Sequence, residues 1–279
     1  MSSESQFVNA LLVYFSPPKD GSKPYTMANN DPVSGKPRIN WVPEEHTVQI
    51  ENLRGKEDSV TLDTAGFQYG RSPSAHKAFA SDEAVKAEYY PESIALVKKL
   101  TGASRIVPFD HTIRRRRPGE PDSSPEKRQP VPQVHVDQTT ASAIARVHRH
   151  LPAEDVPALL GRRFQIINLW RPIGRPAYDW PLALCDYRSV DPSTDLVPAD
   201  LVYEDRKGET NNVRFNPNHR WKYVRGMTPD EFVVIKCYDS KSDDKTAILT
   251  PHTAFQDPTT PQDAPLRESI ELRLLVFYD

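Results

Sequence analysis

From residue 163 to 279 the chain is a succession of short apolar runs: RFQIINLWRPI, PLALCDYRSV, DLVYEDR, RWKYVRGM, EFVVIKCYD and SIELRLLVFYD. Each is rich in β-branched and aromatic residues, and each is broken by Pro, Asp or Asn. Runs of that length and composition form strands, and many short strands in sequence close into a sandwich or a barrel. The chain has 27 Pro against 11 Gly. Pro lacks the backbone donor that a helix interior or a central strand needs, so it favours ordered loops between short elements. The expected class is mainly β with flanking helices, arranged as a jelly roll. No internal repeat or linker divides the chain, so one domain over 1–279 is expected, with an arm at 1–40 and a core at 135–279.

The first half carries fewer signals. FVNALLVYF reads as a strand or helix, followed by a Pro-rich extended stretch, and HTVQIENLRG reads as a strand ending in a Gly turn. Residues 82–102 read as helix, with acidic residues in front, Lys98 and Lys99 at the back and Gly102 at the end; Pro91 marks a junction of two pieces. ASRIVPFDHTIR is a strand candidate. The segment 114–134, opening on Arg114–Arg117 and rich in Pro, Ser and Glu, is a loop. It is either a solvated connector or a mobile lid, since it runs directly into the next motif. TASAIARVHRH, 140–150, reads as helix.

Charged residues make up 27% of the chain and nearly cancel, for a formal net charge of −2. That balance gives no electrostatic case for nucleic acid or an acidic membrane surface, and no apolar run is long enough for a membrane helix. The start lacks the basic and long apolar regions of a signal peptide. Cys185 and Cys237 lie inside apolar runs and read as buried free thiols. A cytoplasmic protein is expected; its oligomeric state is left open. No Gly-rich phosphate loop, paired CxxC or GxSxG occurs.

The chain has eight histidines but a single His-x-Asp, His135 and Asp137 in VPQVHVDQTT. Two residues apart on a strand, both side chains face one way. An imidazole and a carboxylate side by side are two thirds of the facial triad that holds non-heme Fe(II), and His252 in LTPHTAF is a candidate third ligand. Downstream, RESIE places Arg267 and Ser269 on one strand face. A guanidinium there could grip a carboxylate bidentately, and Arg273 on the same face competes for that role. His148 and His150, two apart on the expected helix, lie on different faces and read as solvent-exposed; His219 in NPNHRW reads as a turn or packing residue; His46, His76 and His111 have no ligand-type partner at useful spacing.

Several segments together resemble a known family: YYPESIALVKKLTGASRIVPFDHTIRRR, HVDQT, RFQIINLWRPI, DWPLALCDYRSVDPSTDLVP, NPNHRWKYVRGMTPDEFVVIKCYDS and LTPHTAFQDPTTPQDAPLRESIELRLLVFYD. They are similar to the fungal hydroxylase/desaturase family of AsaB and gibberellin-desaturase type, to which CmcJ-like and TqaL-like enzymes are related. The resemblance covers roughly residues 39–279. It implies a double-stranded β-helix and an Fe(II)/2-oxoglutarate-dependent oxygenase that uses O₂. Its substrate would be a small-molecule secondary metabolite or amino-acid-derived intermediate, hydroxylated, desaturated or cyclised at an unactivated C–H. The resemblance further implies His135, Asp137 and His252 as iron ligands and Arg267 as the 2-oxoglutarate anchor. Asn168, Trp170 and Arg171 of NLWRPI are then expected near the pocket, with Asn168 and Trp170 on one strand face and, like Ser269, at the co-substrate. Lys222 stands in HRWKY where relatives usually read HRWYY, which leaves open whether that position touches substrate. Two rival readings remain at this point: a non-catalytic cupin-like binding protein, and an iron dioxygenase that uses no 2-oxoglutarate.

Overall fold

The computed structural model describes residues 6–241, 243 and 245–279. Fourteen strands follow in chain order: β1 (Phe7–Ser16), β2 (Tyr25–Met27), β3 (Val42–Asn52), β4 (Phe67–Arg71), β5 (Arg105–Arg115), β6 (His135–Val136), β7 (Phe164–Pro172), β8 (Leu182–Cys185), β9 (Leu196–Val202), β10 (Lys207–Val213), β11 (Trp221–Tyr223), β12 (Glu231–Asp239), β13 (His252–Ala254) and β14 (Glu268–Phe277). They form two sheets. The larger has the order β1-β3-β11-β8-β13-β6-β10-β9-β2, the smaller β4-β12-β7-β14-β5.

Burial follows the sequence pattern of each strand. From Phe7 to Tyr14 burial alternates along β1, with Val8, Ala10, Leu12 and Tyr14 buried and the residues between them not, the signature of a strand with one face on the core; Phe15 beyond them is buried as well. In β7 every residue from Phe164 to Pro172 is buried, because both faces are covered. Its even and odd positions serve different layers. Ile167 and Leu169 pack outward with Leu272 and Leu274 of β14 against Val97 of the helix Tyr90–Thr101. Asn168 and Trp170 point inward, toward the larger sheet.

The smaller sheet draws β4 and β5, and the larger β1, β2 and β3, from the first half of the chain. The sandwich therefore extends well before residue 135, and the N-terminal arm of the sequence reading contributes a full edge strand. Strand pairing is long-range, so local pattern could not reveal it. The strand β5 runs on through Arg115, so the loop begins at Arg116. It is tied down by Arg128 to Asp122 at 2.8 Å and by Gln129, whose Nε2 donates to the Arg117 carbonyl at 2.9 Å. The helical stretch from Asp82 is continuous to Thr101, but Val85–Tyr89 forms a π turn, with the Tyr90 N–H donating to the Val85 carbonyl. The widened turn lies directly before Pro91, which has no donor to continue an α pattern. Cys185 and Cys237 are buried free thiols. No described helix is long and apolar enough to cross a membrane.

One turn ties the fold to the later site. Gly66, with φ at 89°, accepts at its carbonyl both the Lys236 N–H and the Thr250 hydroxyl, each at 2.7 Å. A side chain at 66 would sit in the left-handed region and would overlap Thr250 Oγ1 and the Leu249 carbonyl oxygen. Gly66→Ala is expected to lower unfolding free energy by about 2 kcal/mol, the scale of a strained non-glycine backbone. Denaturant unfolding measures it; unchanged stability would mean that the 249–251 turn yields freely.

Candidate metal centre

Strand β6 is short because a helix follows at once. Thr139 caps the helix Thr140–His150, with its hydroxyl taking the Ser142 N–H and the Ser142 hydroxyl taking the Thr139 N–H. Within those few residues β6 is flanked by β13 and β10, with His252 directly opposite His135 on one side and Asn212 opposite it on the other. Directly paired residues share a face, so both imidazoles point between the sheets. Asp137, two positions on, joins them.

The three side chains converge. Asp137 Oδ1 lies 3.3 Å from His135 Nε2 and 3.8 Å from His252 Nε2, and the two rings are 4.4 Å apart. The remaining polar atom of each is occupied. His135 Nδ1 is 2.8 Å from the Gln133 carbonyl, and His252 Nδ1 is 3.0 Å from the Thr250 carbonyl. With Nδ1 turned to a carbonyl, each ring directs its Nε2 inward. Asp137 Oδ2 accepts from Asn168 Nδ2 at 2.8 Å and from Arg273 Nε at 3.3 Å, which leaves Oδ1 facing the histidines.

The electrostatics agree with the geometry. Burial alone would raise the Asp137 carboxyl, but Arg273 and the two histidines outweigh it and hold it well below the usual carboxylate range. Burial, aided by His135, lowers His252, so its ring is neutral at pH 7. Two imidazole nitrogens and one carboxylate oxygen aimed at one point fit a divalent first-row metal such as Fe(II).

Beside His252 a cleft is lined by Arg114, Trp170, Leu182, Thr253, Arg267 and Glu271, among others. Arg267 is 2% exposed, and its guanidinium lies 5.6 Å from the Trp170 ring centre. Its Nη1 donates to the Trp180 carbonyl at 2.5 Å; Trp180 adopts φ of 45°, an unusual conformation for a side-chain-bearing residue that aims this carbonyl. Asp179 meets Arg267 through the backbone N–H, at 3.0 Å. Arg267 Nε and Ser269 Oγ are both buried without a partner among the described residues. Burial and the neighbouring Arg114 push the Arg267 guanidinium down to about 9. It is a buried cation with donors to spare.

Arg273 is the opposite case. Besides Asp137, its guanidinium meets Glu271 at 2.5 Å, Thr112 at 2.9 Å and Asp110 at 3.3 Å. Asn168, expected at the co-substrate pocket, is engaged by Asp137 instead; Trp170 does line the cleft. Lys222 is held by Glu51 at 2.6 Å and is not among the cleft residues. The other histidines are elsewhere: His219 is buried between Tyr14 and Asp195, and His46 stacks on Phe215. Gln133 and Asn212 border the site without having been singled out in the sequence, since lone amides carry no spacing signal; Arg114 and Glu271 line the cleft, but in the sequence they stood only within a basic run and the RESIE segment.

Residues 12–277 match the model of the oxidoreductase/YMDC permease-like domain family. The hydroxylase/desaturase efuI of Hormonema carpetanum is 36% identical, over 99% of this chain and 97% of its own length. The Fe(II)/2-oxoglutarate-dependent dioxygenase nvfI of Aspergillus novofumigatus is 35% identical, over 94% of each. A solved structure of the iron and alpha-ketoglutarate-dependent endoperoxidase NvfI superposes with a TM-score of 0.85 at 31% identity, covering 99% of both chains. The two-sheet sandwich is thus the expected jelly roll.

Asn168 Nδ2 holds the Asp137 carboxylate, so Asn168→Ala should weaken divalent-metal affinity by about 10- to 100-fold, the usual effect of losing a partner that orients a ligand. Anaerobic titration with Fe(II) measures this, with folding checked by circular dichroism. Unchanged affinity would mean that Arg273 alone suffices.

Proposed function

The chain belongs to the oxidoreductase/YMDC permease-like domain family and is an Fe(II)/2-oxoglutarate-dependent oxygenase of the fungal hydroxylase/desaturase type; from that premise we propose that His135, Asp137 and His252 hold its iron and that Arg267 anchors 2-oxoglutarate. Its co-substrates are 2-oxoglutarate and O₂, and its substrates are small molecules of secondary metabolism. Hydroxylation, desaturation and oxidative cyclisation are all open to such a site, the outcome depending on how the substrate lies.

The observation that carries the ligand reading is the occupancy of every donor atom but three. Both Nδ1 atoms and Asp137 Oδ2 are taken by protein, while both Nε2 atoms and Oδ1 converge. Iron bound there supplies the coupling of 2-oxoglutarate decarboxylation by O₂ to oxidation of an unactivated C–H. The chain's own work is positioning. Asn168 and Arg273 turn the carboxylate, and the Gln133 and Thr250 carbonyls turn the imidazoles.

Arg267 is favoured over Arg273 as anchor because its Nε and the nearby Ser269 hydroxyl lack partners, whereas Arg273 is surrounded by acceptors. A carboxylate between Arg267 and Ser269 would satisfy both orphans. The segment after β5 reads as a cover over the same single domain, and two buried free thiols support a reducing compartment such as the cytoplasm.

Alanine at His135, Asp137 or His252 should abolish Fe(II) binding and 2-oxoglutarate decarboxylation while leaving circular dichroism unchanged. Full activity in any one variant removes that residue from the ligand set.

Arg267→Ala should raise the 2-oxoglutarate concentration needed for half-maximal decarboxylation by about 30-fold or more, the loss of a charge-assisted pair, with Fe(II) affinity little changed. Arg273→Ala should weaken Fe(II) binding instead, through Asp137. The reverse pattern would make Arg273 the anchor.

A further inference from the structure

Asn212 is 2% exposed and sits directly opposite His135 on β10. Paired residues share a face, so its side chain points between the sheets beside the imidazole. Asn211, one position earlier, faces the other way and donates to the Gln138 carbonyl at 2.9 Å. Gln133 Nε2 donates to Asn212 Oδ1 at 2.7 Å, which turns the amide so that Nδ2 is left over. That Nδ2 is buried with no partner among the described residues. A buried donor without an acceptor is costly, and native interiors keep few of them.

Strand order says which flank of the centre this donor serves. Reading across the larger sheet, β8, β13, β6, β10 and β9 are neighbours. The Arg267 cleft takes Leu182 from β8 and Thr253 and Ala254 from β13, beyond His252, and takes nothing from β10. Asn212 is on the opposite flank of His135, away from the co-substrate.

We propose that the Asn212 amide is a substrate-binding donor that takes an acceptor oxygen, a carbonyl or hydroxyl, of the organic substrate. This rests on the ligand reading above. The substrate class is then an oxygenated small molecule, and the oxidised carbon lies within a few bonds of that oxygen.

The test uses the full chain loaded with Mn(II) and 2-oxoglutarate, which is paramagnetic and does not turn over. The probes are cyclohexanone and methylenecyclohexane, alike in shape but not in acceptor. Proton relaxation in NMR titrations reports how tightly each approaches the metal. The hydrocarbon is the more apolar of the two, so preference for the ketone requires a donor. The ketone should bind about three- to tenfold more tightly, the worth of one neutral hydrogen bond. Asn212→Leu should erase that preference and leave Mn(II) and 2-oxoglutarate affinities unchanged, with Asn212→Ala as the second variant should leucine prevent folding. Equal binding of the two probes, no ketone binding, or a variant that loses 2-oxoglutarate instead would each overturn the proposal. Failure of the wild type to bind Mn(II), read by electron paramagnetic resonance, would instead bring down the ligand reading and this inference with it.

Discussion

Asp137 Oδ2 is held from across the sandwich. The carboxylate leaves the larger sheet at the end of β6, while Asn168 and Arg273, which grip it, belong to β7 and β14 of the smaller one. The carboxylate of the proposed triad is thus positioned by both layers, and its two histidines by one. The inward row of the smaller sheet shows why this works. Arg273 is paired with Asn168 and Glu271 with Trp170, so the residues that set Asp137 and those that line the cleft alternate along a single ladder. A shift of that ladder by one residue would send all four to the outer face, where Leu272 and Leu169 now pack. The apolar outer cluster therefore secures the polar inner one.

Arg267 and Arg273 show how little residue type says about role. Arg273 lies on the inward side of β14 and is part-buried, and Arg267, fully buried, immediately precedes that strand. Arg273 has acceptors on every side, and these keep its guanidinium charged despite burial. Arg267 has a ring, the Trp180 carbonyl and another arginine, and the nearby Asp179 and Glu271 carboxylates offset its burial only in part. Burying a cation so poorly matched is unfavourable, and such an arrangement is understandable where a ligand carboxylate offsets it.

Much of this was legible in advance, for identifiable reasons. Strands such as β7, β12 and β14 are apolar enough to announce themselves, and the helix Thr140–His150 has a clear start after Thr139. The His-x-Asp spacing works because β6 is extended. Legibility ended where information became non-local. Strand β10, Lys-Gly-Glu-Thr-Asn-Asn-Val, contains residues that strands disfavour, and it forms because β9 and β6 offer partners on both sides. Strand β13 has only three residues. The roles of Asn168 and Arg273 depend on a contact between the two sheets, which no window of sequence contains. The π turn before Pro91 was readable as a junction but not as a widened coil.

The division of labour between the layers has a mechanical side. On the proposed reading, the metal sits on the larger sheet and the carboxylate anchor on the smaller, so 2-oxoglutarate is a strut spanning the sandwich. Its length is set by three carbons between two carboxylates, and it would act as a gauge of the gap between the layers. A shorter or longer diacid would have to draw the sheets together or force them apart, against a close-packed interior that resists both. Selectivity for the co-substrate would then reside in the stiffness of the β-sandwich as a whole, a property that no single residue in the cleft carries.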